Sequence, residues 1–151
     1  MKKIYSAILY VLLLGVSSCE ETIVQYHYKL PSFEERSQLN GSWQLFESGY
    51  SNGSGYIVEV VAASPLQQMT FHTNGTLSTT VPDLEKFTYY QVLYDPRLDF
   101  SILALFENDP GEDEVYDLTQ SYAIEFEGAQ LKLHDRYCIE GCHLRLEKVS
   151  G

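Results

Sequence analysis

Apolar and polar residues alternate with a period of two along most of the chain from Leu39 onward. Trp43 and Leu45, for example, stand on either side of Gln44. Alternation of this kind is typical of β-strands that bury one face and expose the other. We therefore expect the following apolar files to face a common interior: Trp43 and Leu45; Tyr56, Val58 and Val60; Met69 and Phe71; Phe100, Ile102, Ala104 and Phe106; Tyr122, Ile124 and Phe126; Leu131 and Leu133; Leu144 and Leu146.

Turn-forming residues separate these files. They are Asn52-Gly53, Asn74-Gly75, Asp95-Pro96, Asp109-Pro110-Gly111 and Glu127-Gly128. Short strands joined by such turns form antiparallel barrels or sandwiches. No helical stripe is longer than a turn or two, although residues 33–39 could hold one short helical turn. We predict an all-β fold, a small antiparallel barrel of about eight strands.

The N-terminus has the pattern of an export signal. Lys2 and Lys3 precede an apolar run from Ile4 to Val16, which is shorter than the about 20 residues of a membrane span. Val16-Ser17-Ser18-Cys19 resembles the lipobox of bacterial lipoproteins, which implies cleavage before Cys19 and acylation of its thiol. The prediction is a signal peptide at 1–18, a flexible lipidated tether at 19–37 and a barrel domain at 38–151. The alternative is an ordinary signal peptide with a chance cysteine.

The chain is acidic, with a net charge of −11. Loss of residues 1–18 removes Lys2 and Lys3 and no acid, which makes the charge −13. Such acidity argues against binding to nucleic acid and against broad contact with an anionic membrane surface. The predicted membrane contact is therefore the lipid anchor alone. Glu20 and Glu21 resemble the acidic signal that sends some Gram-negative lipoproteins to the cell surface, and a merely solvated tether is the alternative.

Three motifs in order resemble the short lipocalin-like domains of bacterial lipoproteins. Residues 39–45 match an L-x-G-x-W-x-L opening, and residues 70–76 match a T-F-x-x-D-G-T hairpin with Asn74 at the Asp position. Residues 138–142 read C-I-E-G-C and are followed by a last apolar–polar segment. The resemblance covers 39–149 and implies a lipocalin-like barrel in a lipoprotein of the Gram-negative outer membrane. The T-D-Y motif and the long C-terminal helix of true lipocalins are missing, so transport of a retinoid-like ligand is not implied.

Cys138 and Cys142 are the thiols that remain once Cys19 is acylated. An extended C-x3-C would separate their Cα atoms by about 13 Å, whereas a disulfide needs less than about 7 Å. Gly141 supplies the backbone freedom for the turn that a disulfide requires, and an oxidising compartment favours the bond. We therefore predict a Cys138–Cys142 disulfide that fixes this loop to the start of the last strand. One alternative is a zinc site that adds His134 and His143. A catalytic thiol pair is less well matched, because no C-x-x-C at a helix start is visible.

The sequence contains little that points to catalysis. It has no G-x-S-x-G, no H-E-x-x-H and no phosphate-binding glycine loop, so we predict no enzyme activity, no cofactor and no metal. A carboxylate pair contributed by distant strands stays open. So does a calcium site in one acidic loop, although a solvated loop is the simpler interpretation. The acids of that loop are Glu107, Asp109, Glu112, Asp113, Glu114 and Asp117.

The leading functional prediction is a non-enzymatic protein that binds a small apolar or amphipathic molecule at the open end of the barrel. The predicted ligand-binding residues are Trp43, Phe71, Tyr90, Phe100 and Tyr122. The competing prediction is a structural or accessory lipoprotein with a filled barrel that contacts a partner protein. A connected interior cavity of about 300 Å³ or more would favour the first prediction, whereas a filled interior would end the idea of a small ligand in the barrel and leave the partner-protein prediction.

Overall fold

The computed structural model describes Tyr28 and residues 33–111, 118 and 120–149, and nearly all regular structure in them is β. The predicted all-β fold is therefore confirmed, and a short helix forms where the sequence allowed one turn. No helix in the described part of the chain is long and apolar enough to span a membrane. The elements are α1 (Phe33–Leu39), β1 (Gly41–Ser51), β2 (Tyr56–Val60), β3 (Gln68–Phe71), β4 (Leu77–Thr79), β5 (Tyr89–Asp95), β6 (Phe100–Phe106), β7 (Ser121–Glu127), β8 (Gln130–Asp135) and β9 (His143–Lys148).

Eight of the strands form an antiparallel, nearly closed barrel in the order β4-β3-β1-β9-β8-β7-β6-β5. The first and last strands meet at a bridge between Thr76 and Tyr89. Two backbone hydrogen bonds flank it, from Leu77 N to the Thr88 carbonyl at 2.8 Å and from Tyr90 N to the Gly75 carbonyl at 2.9 Å. The pairing between β4 and β5 is thus shorter along the strands than the other strand pairings.

Strand β1 has different neighbours in its two halves. Along one edge it pairs with β9, with a shift of register at Phe46. Along the other edge, residues 41–44 pair with β3 and residues 47–51 pair with β2. A bulge of this kind bends a strand and increases its twist. Strand β2 pairs with the second half of β1 and lies off the path of the barrel strands.

Side chains fill the barrel interior. The files predicted to face inward from β1, β3, β7, β8 and β9 all lie in one cluster, as expected. Eight-stranded barrels are just wide enough for side chains to fill them. The buried members of this cluster are Leu39, Trp43, Leu45, Met69, Phe71, Leu77, Val81, Leu84, Phe87, Tyr90, Val92, Leu103, Leu105, Tyr122, Leu131, Leu133 and Leu146.

The predicted orientation of β6 is wrong. Leu103 and Leu105 point into the barrel, and the strand is buried on both faces. The file expected inside lies in a second cluster on the outer face, because other parts of the chain cover that face. This outer cluster contains Phe100, Ile102, Ala104 and Phe106 together with Leu93, Leu118 and Tyr28.

The predicted burial of the β2 file is also wrong. Tyr56, Val58 and Val60 are all exposed. The reason is topological, because β3 takes the place beside the first half of β1 and so becomes part of the barrel wall. The alternation in β2 is real, but its apolar face has no core to enter.

The two ends of the barrel are built differently. At one end, helix α1 lies across the opening with Leu39 fully buried, and the Trp43 indole Nε1 donates to the Leu39 carbonyl at 2.7 Å. Lys148 adds a hydrogen bond to the Gln38 carbonyl at 3.1 Å. We call this the closed end. The connections after β4, β6 and β8 leave from the opposite, open end, where the second half of β1 and all of β2 also lie.

Candidate functional site

A solvent-facing cleft lies on the open-end side, where β2 and β3 part. Its volume is about 370 Å³. The β2–β3 and β4–β5 connections form two of its sides, and β1 and β9 form its floor. Its lining residues are Leu45, Ser48, Glu59, Val60, Val61, Ala62, Gln67, Val81, Pro82 and Leu144.

The floor of this open-end cleft is apolar and its rim carries a carboxylate. Leu45 and Val81 are buried core residues, and Leu144 packs against the same core. At the rim, the Tyr50 hydroxyl donates to Glu59 Oε1 at 2.9 Å, and this bond raises the pKa of Tyr50 because it stabilises the protonated phenol beside a negative charge. The cleft therefore suits a molecule with an apolar body and a hydrogen-bond-donating head.

Two further clefts near the closed end are less suited to an apolar ligand. The larger, of about 620 Å³, surrounds the β3–β4 turn, and Phe71 is its single large apolar wall residue, beside polar residues such as Thr70 and His72. The smaller, of about 280 Å³, lies between Trp43, Phe126 and Lys148. Both are open to solvent, so neither is an enclosed space within the barrel.

The five predicted ligand-binding residues do not come together in one site. Trp43, Phe71 and Tyr90 pack in the core near the closed end, where the Phe71 and Tyr90 rings meet edge to face with centroids 5.1 Å apart. Tyr122 lies in the core toward the open end, and burial raises the pKa of its hydroxyl well above the usual value. Phe100 lies in the outer cluster. Their predicted role in ligand binding stays a prediction.

The residues that line the open-end cleft carry no distinctive sequence signal. Leu45 and Leu144 belong to core files that were predicted, but their position at a gap in the wall depends on the departure of β2 from the barrel. Ser48, Glu59 and Gln67 look like ordinary polar residues of strands and loops. The gap lies where the edge of β1 passes from β3 to β2, level with the register shift at Phe46, and an apolar–polar pattern alone does not reveal a bulge.

A polar cluster joins β1, β2 and β9 on the outer face near the open end. His143 is 8 % exposed, and its Nε2 donates to Glu47 Oε1 at 3.1 Å. Its Nδ1 forms a short hydrogen bond with the Tyr56 hydroxyl, which also lies 3.0 Å from the Gly141 carbonyl. Arg145 reaches Glu47 Oε1 at 3.5 Å through Nη1. The cluster thus links β2 to the first residues of β9.

The electrostatics of this cluster favour structural anchoring. The hydrogen bond from His143, together with the charge of Arg145, holds the pKa of Glu47 below its usual value. Burial and the Glu47 charge raise the pKa of Tyr56, so its hydroxyl stays protonated at neutral pH. A protonated phenol donates hydrogen bonds and is a poor nucleophile. We therefore assign the cluster to holding β2 in place.

Gly49 makes this cluster possible. An added Cβ at this position would overlap the Tyr56 hydroxyl and the His143 ring. Glycine within a strand often marks the close approach of another group, which is what occurs here. A glycine within a predicted strand, as in Glu47-Ser48-Gly49, indicates such a close approach but does not identify the approaching residues.

Cys138 and Cys142 lie in disulfide geometry, with Cα atoms 5.5 Å apart. The turn between them places Gly141 at a φ of +89°, in the left-handed region that glycine tolerates. The two histidines of the zinc alternative make other contacts, His134 Nε2 with Glu125 at 2.9 Å and His143 with Glu47. Among the described residues, no group of three or more histidine, cysteine, aspartate or glutamate side chains is arranged to hold a metal.

Several predictions fall on residues outside the described part of the chain. These are the signal peptide, Cys19, most of the tether and residues 112–117 of the acidic loop. Two acids of that loop are described. Glu107 pairs with Lys86 at 2.9 Å, and Asp109 Oδ1 accepts a hydrogen bond from Gly111 N at 3.1 Å. Both contacts are typical of a solvated loop.

The fold and the cleft together define a small, nearly closed antiparallel β-barrel with a filled interior and a partly apolar cleft near its open end. Comparisons of the chain with protein-family models, with curated proteins and with solved structures find no match. The residues of this chain and their geometry are therefore the basis for assigning a function.

Proposed function

We propose that the protein is an exported, lipid-anchored, lipocalin-like binding protein of a Gram-negative outer membrane, with no enzymatic activity. Because the barrel interior is filled, the proposed ligand, a small amphipathic molecule, is held in the open-end cleft at the surface and not inside the barrel. The supporting observation is the combination of an apolar floor, made by Leu45, Val81 and Leu144, with the Glu59 carboxylate at the rim. Its volume of about 370 Å³ lies in the range of small-molecule sites.

The chemistry of the cleft limits the class of ligand. An apolar body would cover the floor and remove its surface from water, which stabilises the complex by about 25 cal/mol for each Å² buried. A hydroxyl or amine head would donate to Glu59 in place of Tyr50. An anionic head is disfavoured, because it would face this carboxylate and a chain of net charge −11.

A pair of neighbouring alanines allows a matched test of the cleft. Ala62 lines the cleft, whereas Ala63 is exposed and does not line it. We expect the full chain in detergent to bind the neutral apolar dye N-phenyl-1-naphthylamine, measured as the fluorescence above that of the dye in the same detergent without protein. Ala62→Trp should weaken binding by about tenfold or more, a loss of about 1.4 kcal/mol, and Ala63→Trp should leave it unchanged. Equal effects of both changes, or no saturable binding, would contradict the cleft assignment.

Native mass spectrometry of the protein extracted from its own membrane tests the natural ligand. A co-purified molecule of small mass that is lost in Ala62→Trp and kept in Ala63→Trp supports the proposal. A protein subunit in the absence of any small molecule would favour the competing accessory function. The filled interior supports that second candidate, because it leaves the outer surface as the larger binding area.

The lipid anchor has its own test. Mass analysis of the N-terminal peptide should find Cys19 as the first residue, carrying acyl chains. Each buried methylene contributes about 0.8 kcal/mol to membrane binding, and two or more chains give stable anchoring. Cys19→Ser should release the protein from the membrane fraction. An unmodified Cys19, or retention of the Cys19→Ser chain, would refute the anchor and leave the cleft assignment untouched.

A further inference from the structure

Strand β2 is an edge strand with an exposed apolar face. Its partner on one side is β1, and no strand pairs with its other edge among the described residues. Val60 is 85 % exposed, Val58 is 53 % exposed and Tyr56 is 47 % exposed. Natural proteins usually protect such edges with lysine, proline or a covering segment, because an open edge is a template for pairing with another chain. The sequence Tyr56–Val60 contains neither lysine nor proline.

The hydrogen-bond pattern shows which residues of β2 present their backbone outward. Val61 N donates to the Phe46 carbonyl at 2.8 Å, so Val61 and Phe46 form a hydrogen-bonded pair. Such pairs alternate along an antiparallel ladder, and the register makes Glu59 and Ile57 the next residues bonded to β1. The N–H and C=O groups of Tyr56, Val58 and Val60 therefore point to the open edge. The same three residues carry the exposed side chains.

We propose that a second copy of this chain pairs with this edge, with β2 antiparallel to β2 about a two-fold axis at Val58. In this register Val58 faces Val58 of the other copy, and each Tyr56 faces a Val60. Pairs of this type, aromatic with β-branched and β-branched with β-branched, stabilise antiparallel sheets. All three residues face one another as hydrogen-bonded pairs, so their outward backbone groups find partners.

The charge pattern of β2 fits a second copy. Glu59 is the single charged residue of the strand, and the two-fold register places it opposite Ile57 of the other copy. The two Glu59 carboxylates therefore do not face each other. Like charges directly opposite each other would destabilise the pairing. The nearby Glu47 is already paired with His143 and Arg145. Each copy still brings the Glu59 carboxylate and a net charge of −11, so we expect the pairing to strengthen as salt screens the repulsion.

The interface of the proposed dimer is small. Pairing of two five-residue strands gives an interface at the small end of the known range. The Tyr56 hydroxyl points away from the open edge, over β1, to His143 and the Gly141 carbonyl, so the β8–β9 connection does not enlarge the contact. We therefore expect a weak, reversible dimer that depends on protein concentration.

Disulfide trapping tests the register directly. Residues opposite each other in a hydrogen-bonded pair have Cα atoms about 5.5 Å apart, which a disulfide can span. Val58→Cys in the full chain in detergent should therefore form a covalent dimer under mild oxidation. Glu59→Cys is the matched control, because it faces Ile57 of the other copy and lies too far from its own counterpart. The parent chain, treated in the same way, is the control for covalent dimers that form through Cys19.

Three outcomes of the trapping experiment would overturn the proposal. They are equal cross-linking of the two variants, no cross-linking of Val58→Cys, and a mixed disulfide of Val58→Cys with a different protein. The last outcome would assign the edge to another partner. Because trapping requires no bound ligand, a failed cleft assignment would leave its result unchanged.

Sedimentation equilibrium of the full chain in detergent measures the dimer without cross-linking. The protein mass should rise with concentration toward twice that of the monomer. Val58→Pro removes an N–H that points away from β1, so it should abolish dimerisation and keep the β1–β2 ladder, whereas Val58→Ile should retain both. Far-ultraviolet circular dichroism checks that the variants are folded. A monomeric parent chain at every concentration, or a dimeric Val58→Pro, would refute the proposal.

Discussion

The two halves of β1 have the same neighbour on one side and different surroundings on the other. Before Phe46, Trp43 and Leu45 are buried in the barrel core between β3 and β9. After Phe46, Glu47 and Gly49 lie between β2 and β9 and take part in a polar cluster. One strand thus changes from core-forming to polar within two residues.

At the register shift, β1 changes from a strand that packs in the barrel core to a strand that carries a polar cluster on the surface. In the first half, hydrophobic burial fixes the register, because a slip by one residue would turn Trp43 outward. In the second half, the hydrogen bonds of His143 and Tyr56 hold β2 at the side of the barrel. The open-end cleft and the exposed edge of β2 both lie where β2 departs from the barrel wall. Substitutions in the two halves should therefore differ in size and in kind.

The largest expected effect is that of Trp43→Ala in the first half of β1. The change removes a side chain that is 2 % exposed and breaks the hydrogen bond to the Leu39 carbonyl. We expect the free energy of unfolding to fall by about 3–5 kcal/mol, measured by denaturant unfolding. Tyr137→Ala at an exposed position is the control and should cost less than about 0.5 kcal/mol. Similar losses for both would mean that the closed end is not a packed core.

Gly49→Ala tests the second half of β1. The new methyl group would overlap the Tyr56 hydroxyl and the His143 ring, so we expect a loss of about 1–3 kcal/mol. Gly55→Ala is a matched control, because open space surrounds that position and its φ is not in the left-handed region. If Gly49→Ala is as well tolerated as Gly55→Ala, then the cluster does not hold β2 as described.

The Cys138–Cys142 loop borders the same cluster through Gly141 and His143. Replacing both cysteines with serine should lower the free energy of unfolding by about 2 kcal/mol, the loop-closure entropy of so short a loop. Denaturant unfolding with and without a reductant measures the difference. Peptide mass analysis of the parent chain should find two hydrogens fewer than in the dithiol form. Free thiols or bound zinc at this site would contradict the Cys138–Cys142 disulfide.

Alternation of apolar and polar residues predicted the strands that have one buried face. Met69 and Phe71, like Leu131 and Leu133, lie between polar neighbours, so the pattern shows which face of the strand is buried. The resulting architecture of about eight antiparallel strands is confirmed. Local pattern is sufficient in these strands because burial on one face decides the orientation.

Alternation failed in β6 and in β2, for two different reasons. In β6 both files are rich in apolar residues, so either could face inward, and Leu118 and Tyr28 cover the outer one. The apolar side of β2 has no core because β3 occupies the barrel wall, which depends on pairing between distant segments. The open-end cleft follows from this same pairing. The fold was therefore more predictable than the candidate site.

The smallest expected effect is the pH dependence carried by Glu47. Because the hydrogen bond from His143 and the charge of Arg145 lower its pKa in the folded state, the carboxylate stabilises the fold above its unfolded pKa of about 4.5. That stabilisation is lost as the pH falls below this value toward the lowered pKa. Glu47→Gln should therefore reduce the melting temperature by a few degrees at pH 7 and by less at pH 3.5. Glu85→Gln is the matched control, because it removes an exposed carboxylate outside the cluster, and it should show no such convergence. A difference between Glu47→Gln and the parent chain that stays constant with pH would mean that the charge of Glu47 does not anchor β2, and that packing around Gly49 does so alone.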